Sequence, residues 1–116
     1  VRKFREEKGI RPEEILFGIG PSIGPCCFET DGDVPEAMQA ALEADADTYI
    51  TVKGPKFHVD LAGLNRQWLL RASLLPERIE VSGICTACRP DLFWSHRKMG
   101  DQGGVQVAVI SLKEGL

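Results

Sequence analysis

Ile84-Cys85-Thr86-Ala87-Cys88-Arg89-Pro90-Asp91-Leu92-Phe93-Trp94-Ser95-His96-Arg97 puts two thiols, two guanidinium groups, an imidazole and two aromatic rings into fourteen residues. It follows a strand-like run, Ile79-Glu80-Val81-Ser82-Gly83-Ile84, and turns out of it at Cys85. Pro90 suits the first position of a helical turn, so Pro90 to Trp94 is expected to form one. Beyond the glycine loop Gly100 to Gly104, the run Val105-Gln106-Val107-Ala108-Val109-Ile110 reads as a closing strand.

Moving upstream, Asp60 is placed to cap a helix whose buried stripe is Leu61, Leu64, Trp68, Ala72 and Leu75. Phe57-His58-Val59 before it is a short strand candidate. Asp33 and Glu36 have capping-box spacing at the start of a helix with the stripe Val34, Met38, Ala41 and Leu42. Gly18-Ile19-Gly20-Pro21-Ser22-Ile23-Gly24-Pro25-Cys26-Cys27-Phe28-Glu29 forces an irregular turn where backbone N–H groups can converge on a ligand. The preceding Glu14-to-Gly20 run reads as a buried strand with Ile15, Phe17 and Ile19 on one face. Val1 to Lys8 reads as the end of a helix stopped at Gly9. That helix starts uncapped, as a segment of something longer would. Interleaved helices and strands define an α+β fold: a mixed sheet layered with helices, an αβ sandwich, within a larger single domain.

The 116 residues are 43% hydrophobic and 27% charged, with a net charge of −3. Pro12 to Val52 contains no Lys or Arg but nine of the seventeen acids. Bases gather instead at the N-terminal helix and around Arg89 to Lys98. An acidic chain argues against general nucleic-acid binding, while a local basic patch can still hold an anionic small molecule. No apolar run approaches the ~18 residues of a membrane helix. With no signal-peptide core either, a cytoplasmic setting is expected, and there the four cysteines read as reduced thiols rather than disulfides.

Cys85-x-x-Cys88 with Cys26 and Cys27 invites a four-cysteine zinc site. The knuckle supplies two thiolates well, but adjacent cysteines supply two more badly, because neighbouring side chains tend to diverge. A thioredoxin-like pair would open a long helix, which Pro90 and the short turn fit poorly. The plainer reading is that some thiols pack as small hydrophobes and one or two face a pocket. Arg97 can fork onto a phosphate or carboxylate, or pair with Asp91 or Asp101; both readings stay open. His96 and His58 read as hydrogen-bonding residues, with His58 exposed. Asp60 reads as a cap rather than a base.

Taken as strings, these segments resemble one family, the bacterial multicopper polyphenol oxidases or laccase-domain proteins, also described as purine nucleoside phosphorylases. The matching residues are Gly20 through Glu29, then Val59-Asp60-Leu61 with Asn65 and Leu69, then Cys85-Thr86 and Leu92 through Lys98. The resemblance makes residues 1–116 the C-terminal portion of one catalytic domain. It implies a metal-dependent enzyme that splits adenosine, inosine or guanosine with phosphate and deaminates adenosine. It also implies one bound zinc, or copper in the oxidase reading. The family's His-Cys-His ligands lie upstream, and neither His58 nor His96 matches them, so no metal ligand is expected in this chain. Cys26, Cys27 and Arg97 are expected to line the pocket for nucleoside and phosphate, with Cys85 close behind. His96 stands where tyrosine is common, Lys98 where a second arginine is common, and Val105-Gln106 where a Gly-Arg ending is common. The isolated chain is expected to be weak or inactive. A laccase-like phenol oxidase and, from another class, a small cysteine-rich zinc-binding module are the alternatives.

Overall fold

A computed structural model describes residues 1–111 and 113. Helix α1 (Arg2–Lys8) ends as expected at Gly9, whose φ of 66° lets its N–H turn back onto the Phe4 and Arg5 carbonyls. Strand β1 (Phe17–Ile19) pairs in parallel with β5 (Ile79–Val81), in register Phe17 to Ile79 and Ile19 to Val81. The other sheet is antiparallel. Its order is β2 (Glu29–Thr30), β4 (Lys56–Val59), β3 (Ile50–Lys53). Gly54, with φ 60°, supplies the positive backbone angle that a tight β3–β4 turn requires.

Helices α2 (Asp33–Leu42) and α3 (Leu61–Arg71) build the core with the antiparallel sheet. Leu42, Ala46 and Val59 are completely buried, joined by Met38 and Leu64. Phe28, Tyr49 and Ile50 pack around them. The α3 start follows the sequence reading: the Asp60 carboxylate accepts from the Gly63 N–H at 3.0 Å. The Asp60 N–H in turn donates to the Tyr49 carbonyl at 2.8 Å, fixing α3 to the end of the segment that leads into β3. A side chain at position 63 would fall 2.5 Å from Asp60 Oδ2 and 2.7 Å from the Tyr49 ring. Glycine is therefore needed there for close approach, not for backbone freedom.

The α+β class stands, with its strands in two small sheets among the described residues. Several local expectations are corrected. Asp33 is the first residue of α2 rather than its side-chain cap; the Gly32 carbonyl takes the Glu36 N–H at 3.0 Å. Asp33 and Glu36 still favour the helix, as negative charges in its first turn. Ala41 faces solvent and Pro35 takes its place in the buried stripe. The β1 strand is shorter than Glu14 to Gly20 and is not buried, with Leu16 74% and Phe17 40% exposed. Trp68 is likewise half out of the fold at 51%. Both rings border an open groove of ≈ 690 Å³ between β1 and α3. Pro90 to Trp94 forms a turn closed by Leu92 and Phe93 N–H groups on the Arg89 carbonyl, while the helix comes later, as α4 (His96–Met99) behind a Ser95 cap. Val105 to Ile110 joins neither sheet, and Val105, Val107, Val109 and Ile110 are more than four-fifths exposed.

Leu42→Ala is expected to cost about 2–5 kcal/mol by opening a cavity at the centre of the core. Gly63→Ala should cost about 1–3 kcal/mol through the clash with Asp60 and Tyr49. Ala41→Ser on the solvent face should stay within ~0.5 kcal/mol. Urea denaturation of the three variants checks this ranking.

Candidate functional site

The parallel pairing of β1 with β5 does not stop at the ends of the strands. Ser82 N–H donates to the Ile19 carbonyl at 2.9 Å, Ser22 N–H to the Ile84 carbonyl at 3.2 Å, and Thr86 N–H to the Ser22 carbonyl at 3.1 Å. This ladder carries the glycine-rich turn and the Cys85-to-Cys88 knuckle forward side by side. Gly24 then folds the chain tightly, its carbonyl accepting the N–H groups of Cys27 (3.1 Å) and Phe28 (2.9 Å).

The consequence is a four-thiol cluster. Cys26 Sγ and Cys27 Sγ each lie 3.4 Å from Cys88 Sγ, and all four sulfurs fall within 4.8 Å of one another. The expected divergence of Cys26 and Cys27 is thereby corrected. Neighbouring side chains diverge in extended backbone, where successive Cβ atoms point to opposite faces. These two sit in the turn closed by Gly24, which swings both thiols to one side. Cys26 and Cys88 are exposed, while Cys27 and Cys85 are partly buried. The Gly24 N–H points at Cys85 Sγ from 3.2 Å. A Cβ on Gly24 would meet Cys85 Cβ at 3.2 Å, so the loop approaches the knuckle as closely as a glycine allows.

Electrostatically the four thiols are not equivalent. Burial pushes the Cys85 thiol up, but the N–H groups of Gly24 and Cys88 and the thiols of Cys26 and Cys88 outweigh it. Together they hold Cys85 at about 6, against an ordinary 9.0. Cys26 is raised, first by its hydrogen bond with Cys88 and then by burial. In Cys88 the bond with Cys26 lowers the value, and those with Cys27 and Cys85 more than offset it. In Cys27 the bond with Cys88 lowers it, against Cys26 and burial, which raise it overall. Negative charge therefore collects on Cys85 and the other thiols donate toward it.

Arg97 reaches the same turn from α4. Its Nη1 donates to the Glu29 carbonyl at 2.7 Å and its guanidinium stands 5.2 Å from the centre of the Phe28 ring. Asp91 pairs with Arg89 at 3.0 Å instead. Arg97 is exposed, and the Glu29 carbonyl takes one of the five N–H donors a guanidinium carries. Of the sequence-predicted site residues, Cys26, Cys27 and Cys85 come into direct contact range, and Arg97 joins them through Phe28 and Glu29. His58 corrects its expectation of exposure. Its side chain is only 12% exposed, Nδ1 lies 2.6 Å from the Pro25 carbonyl, and Nε2 lies 3.6 Å from a Glu29 carboxylate oxygen. It ties β4 to the cysteine turn. Strand alternation put His58 opposite Phe57 and Val59, but gave no sign that the turn would cover that face. His96 is exposed at the start of α4. The recess beside Cys85 and Asp60 measures only ≈ 60 Å³, well below the few hundred Å³ that house a small-molecule ligand.

Residues 1–113 match the family described as multi-copper polyphenol oxidoreductase laccase. The chain belongs to this laccase family. Purine nucleoside phosphorylase YlmD of Bacillus subtilis is 37% identical over 115 residues, 98% of this chain and 41% of the relative. Purine nucleoside phosphorylase LACC1 of Homo sapiens is 33% identical over 118 residues, 98% of this chain and 27% of that protein. The crystal structure of YlmD from Geobacillus stearothermophilus superposes with a TM-score of 0.78 at 33% identity, over 84% of this chain and 36% of that one. The chain thus spans well under half the length of these relatives. Within this stretch of the laccase family, the metal-capable donors that converge among the described residues are four sulfurs, without an imidazole. Such a set suits a tetrahedral d¹⁰ ion and does not fit a multicopper oxidase centre. No helix among the described residues is long and apolar enough to cross a membrane.

In the reduced, metal-free chain, alkylation of Cys85 by iodoacetamide should follow its thiolate, rising through pH 6 and levelling off above pH ~7. Cys26, Cys27 and Cys88 should need pH above their ordinary 9.0. A depressed thiol pKa stabilises the fold above its unfolded value, and that stability is lost as pH falls through about 6. Peptide mapping of a pH series checks the order of labelling.

Proposed function

We propose that this chain is the C-terminal portion of one catalytic domain of a metal-dependent purine nucleoside phosphorylase. Its substrates are adenosine, inosine or guanosine with phosphate, adenosine deamination is a second activity, and its setting is cytoplasmic. The observation that carries this reading is the seat of Arg97, held by Phe28 and Glu29 directly beside the cysteine turn. The relatives' names, purine nucleoside phosphorylase, support the chemistry. Four free cysteines support a reducing compartment.

In phosphorolysis a phosphate oxygen attacks C1′ of the sugar, the C1′–N9 bond breaks, and the departing purine takes up a proton. A guanidinium suits the task of holding the phosphate dianion in line, because its planar fork matches two phosphate oxygens. Glu29 and Phe28 orient that fork from behind. Cys26 and Cys27 would form the adjoining wall, with Cys85 behind them. The catalytic metal, zinc or copper, would sit on a His-Cys-His set outside this chain and activate water for deamination.

The fold's surface supports a portion rather than a whole domain. Its radius of gyration is 16.3 Å, against about 13 Å for a compact domain of this length. Its accessible surface is 8522 Å², where a folded monomer of this size exposes about 6,300 Å². The excess is apolar in part, at Leu16, Phe17, Trp68 and the Val105-to-Ile110 segment. The ≈ 60 Å³ recess at Cys85 likewise leaves the nucleoside to be enclosed with residues beyond this chain.

In the full-length protein, Arg97→Ala is expected to lower kcat/KM for phosphate with inosine by about 10- to 100-fold, the loss of one charged hydrogen-bonding partner. Arg97→Lys should recover part of it. The 116-residue chain alone should be inactive. Phosphate-independent oxidation of a phenol by the full-length protein, with no release of hypoxanthine from inosine, would replace this reading with the laccase-like one.

A further inference from the structure

We propose that Cys26, Cys27, Cys85 and Cys88 hold one zinc ion in a closed four-thiolate site that staples the glycine-rich turn to the knuckle after β5. This ion is distinct from the catalytic metal assigned above to ligands outside the chain, and the proposal does not depend on the nucleoside chemistry. The sulfur geometry carries it. Zn–S bonds of about 2.3 Å in a tetrahedron set the sulfurs about 3.8 Å apart. Here the near pairs are at 3.4 Å and the whole set lies within 4.8 Å, so the ion needs shifts of about an ångström or less.

Other uses of the same thiols fit less well. A disulfide joins two sulfurs about 2.05 Å apart. Cys88 Sγ is equidistant, at 3.4 Å, from Cys26 and Cys27, so neither pair is singled out. A dithiol redox site on Cys85 and Cys88 would open a helix at the first cysteine. Instead Cys88 is followed by the Arg89-to-Phe93 turn, and α4 begins only at His96.

The surroundings are those of a metal thiolate. Gly24 N–H aims at Cys85 Sγ from 3.2 Å, as outer-shell donors do in orienting and partly neutralising a ligand sulfur. Cys26 and Cys88 are exposed, so the ion can enter from solvent, while Cys85 closes the inner side. Binding displaces the thiol protons to solvent and involves no change in oxidation state. Four thiolates fill the tetrahedron and leave no position for water or substrate, so the ion's role is to hold structure. The two segments it joins are about sixty residues apart, and a cross-link over such a loop restricts the unfolded chain strongly.

The test uses the full-length protein, purified under reducing conditions and loaded with zinc alone. Native mass spectrometry should find one zinc more per chain in the wild type than in Cys88→Ser, at an exposed position, or in Cys85→Ser. After cobalt substitution, the difference spectrum between the wild type and Cys88→Ser should be that of a four-thiolate tetrahedral site. His58→Asn should retain the ion, and Gly24→Ala should weaken its binding about 10- to 100-fold. Chelation should lower the Tm of the wild type by more than that of Cys88→Ser. Equal zinc content in the wild type and both cysteine variants, a cobalt difference spectrum without four-thiolate character, or a chelation effect on Tm that Cys88→Ser leaves unchanged would each overturn the proposal.

Discussion

Three backbone hydrogen bonds, from Ser82 to Ile19, Ser22 to Ile84 and Thr86 to Ser22, decide where everything of chemical interest in this chain sits. They extend a three-residue parallel pair into the loops beyond it, where the backbone would otherwise be free to wander. In extended backbone a slip of one residue sends a side chain to the opposite face. Such a slip here would carry Gly24 away from Cys85 and break up the sulfur cluster. The register is held from outside as well. His58 grips the Pro25 carbonyl, and Arg97 grips that of Glu29. The turn is thus fastened by β5, β4 and α4, each through a backbone carbonyl or N–H of the turn or of the residues flanking it.

The core and the site are linked through Asp60. It ends β4, caps α3 with its carboxylate and ties its own N–H to Tyr49. Asp60 also borders the small recess at Cys85. A residue whose chemistry suggests a base is thereby committed to structure, and the packed side of the molecule positions the reactive side. Asn65 and Trp68 then project from the same helix toward the open groove on β1.

What the sequence made legible was local. Gly9 as a helix stop, Asp60 as a cap, Phe57 to Val59 as a strand, and the Met38–Leu42 stripe all follow from rules that act over a few residues. The family resemblance extended that reach, and the match over residues 1–113 bears it out. The failures are of two kinds. Periodicity marks Phe17, Trp68 and Val105 to Ile110 as faces that want cover, but it does not say whether this chain supplies the cover; within it those faces lie open. The convergence of Cys26 and Cys27 depends on a tight turn that spacing does not encode, and the inward setting of His58 depends on contacts about thirty residues away in the chain. Only three-dimensional pairing creates either.

Val105-Gln106-Val107-Ala108-Val109-Ile110 has a consequence for the chain's behaviour in solution. It is anchored at its start, where Gly104 lies against the Trp94 indole and Gln106 donates to the Trp94 carbonyl at 2.7 Å. Past that anchor its apolar side chains stand in solvent and it pairs with neither sheet. Uncharged, proline-free and rich in β-branched residues, it has the composition of segments that stack in register on their own copies. A strand or surface that covered this segment would therefore serve a second purpose. It would keep these six residues from stacking on their own copies.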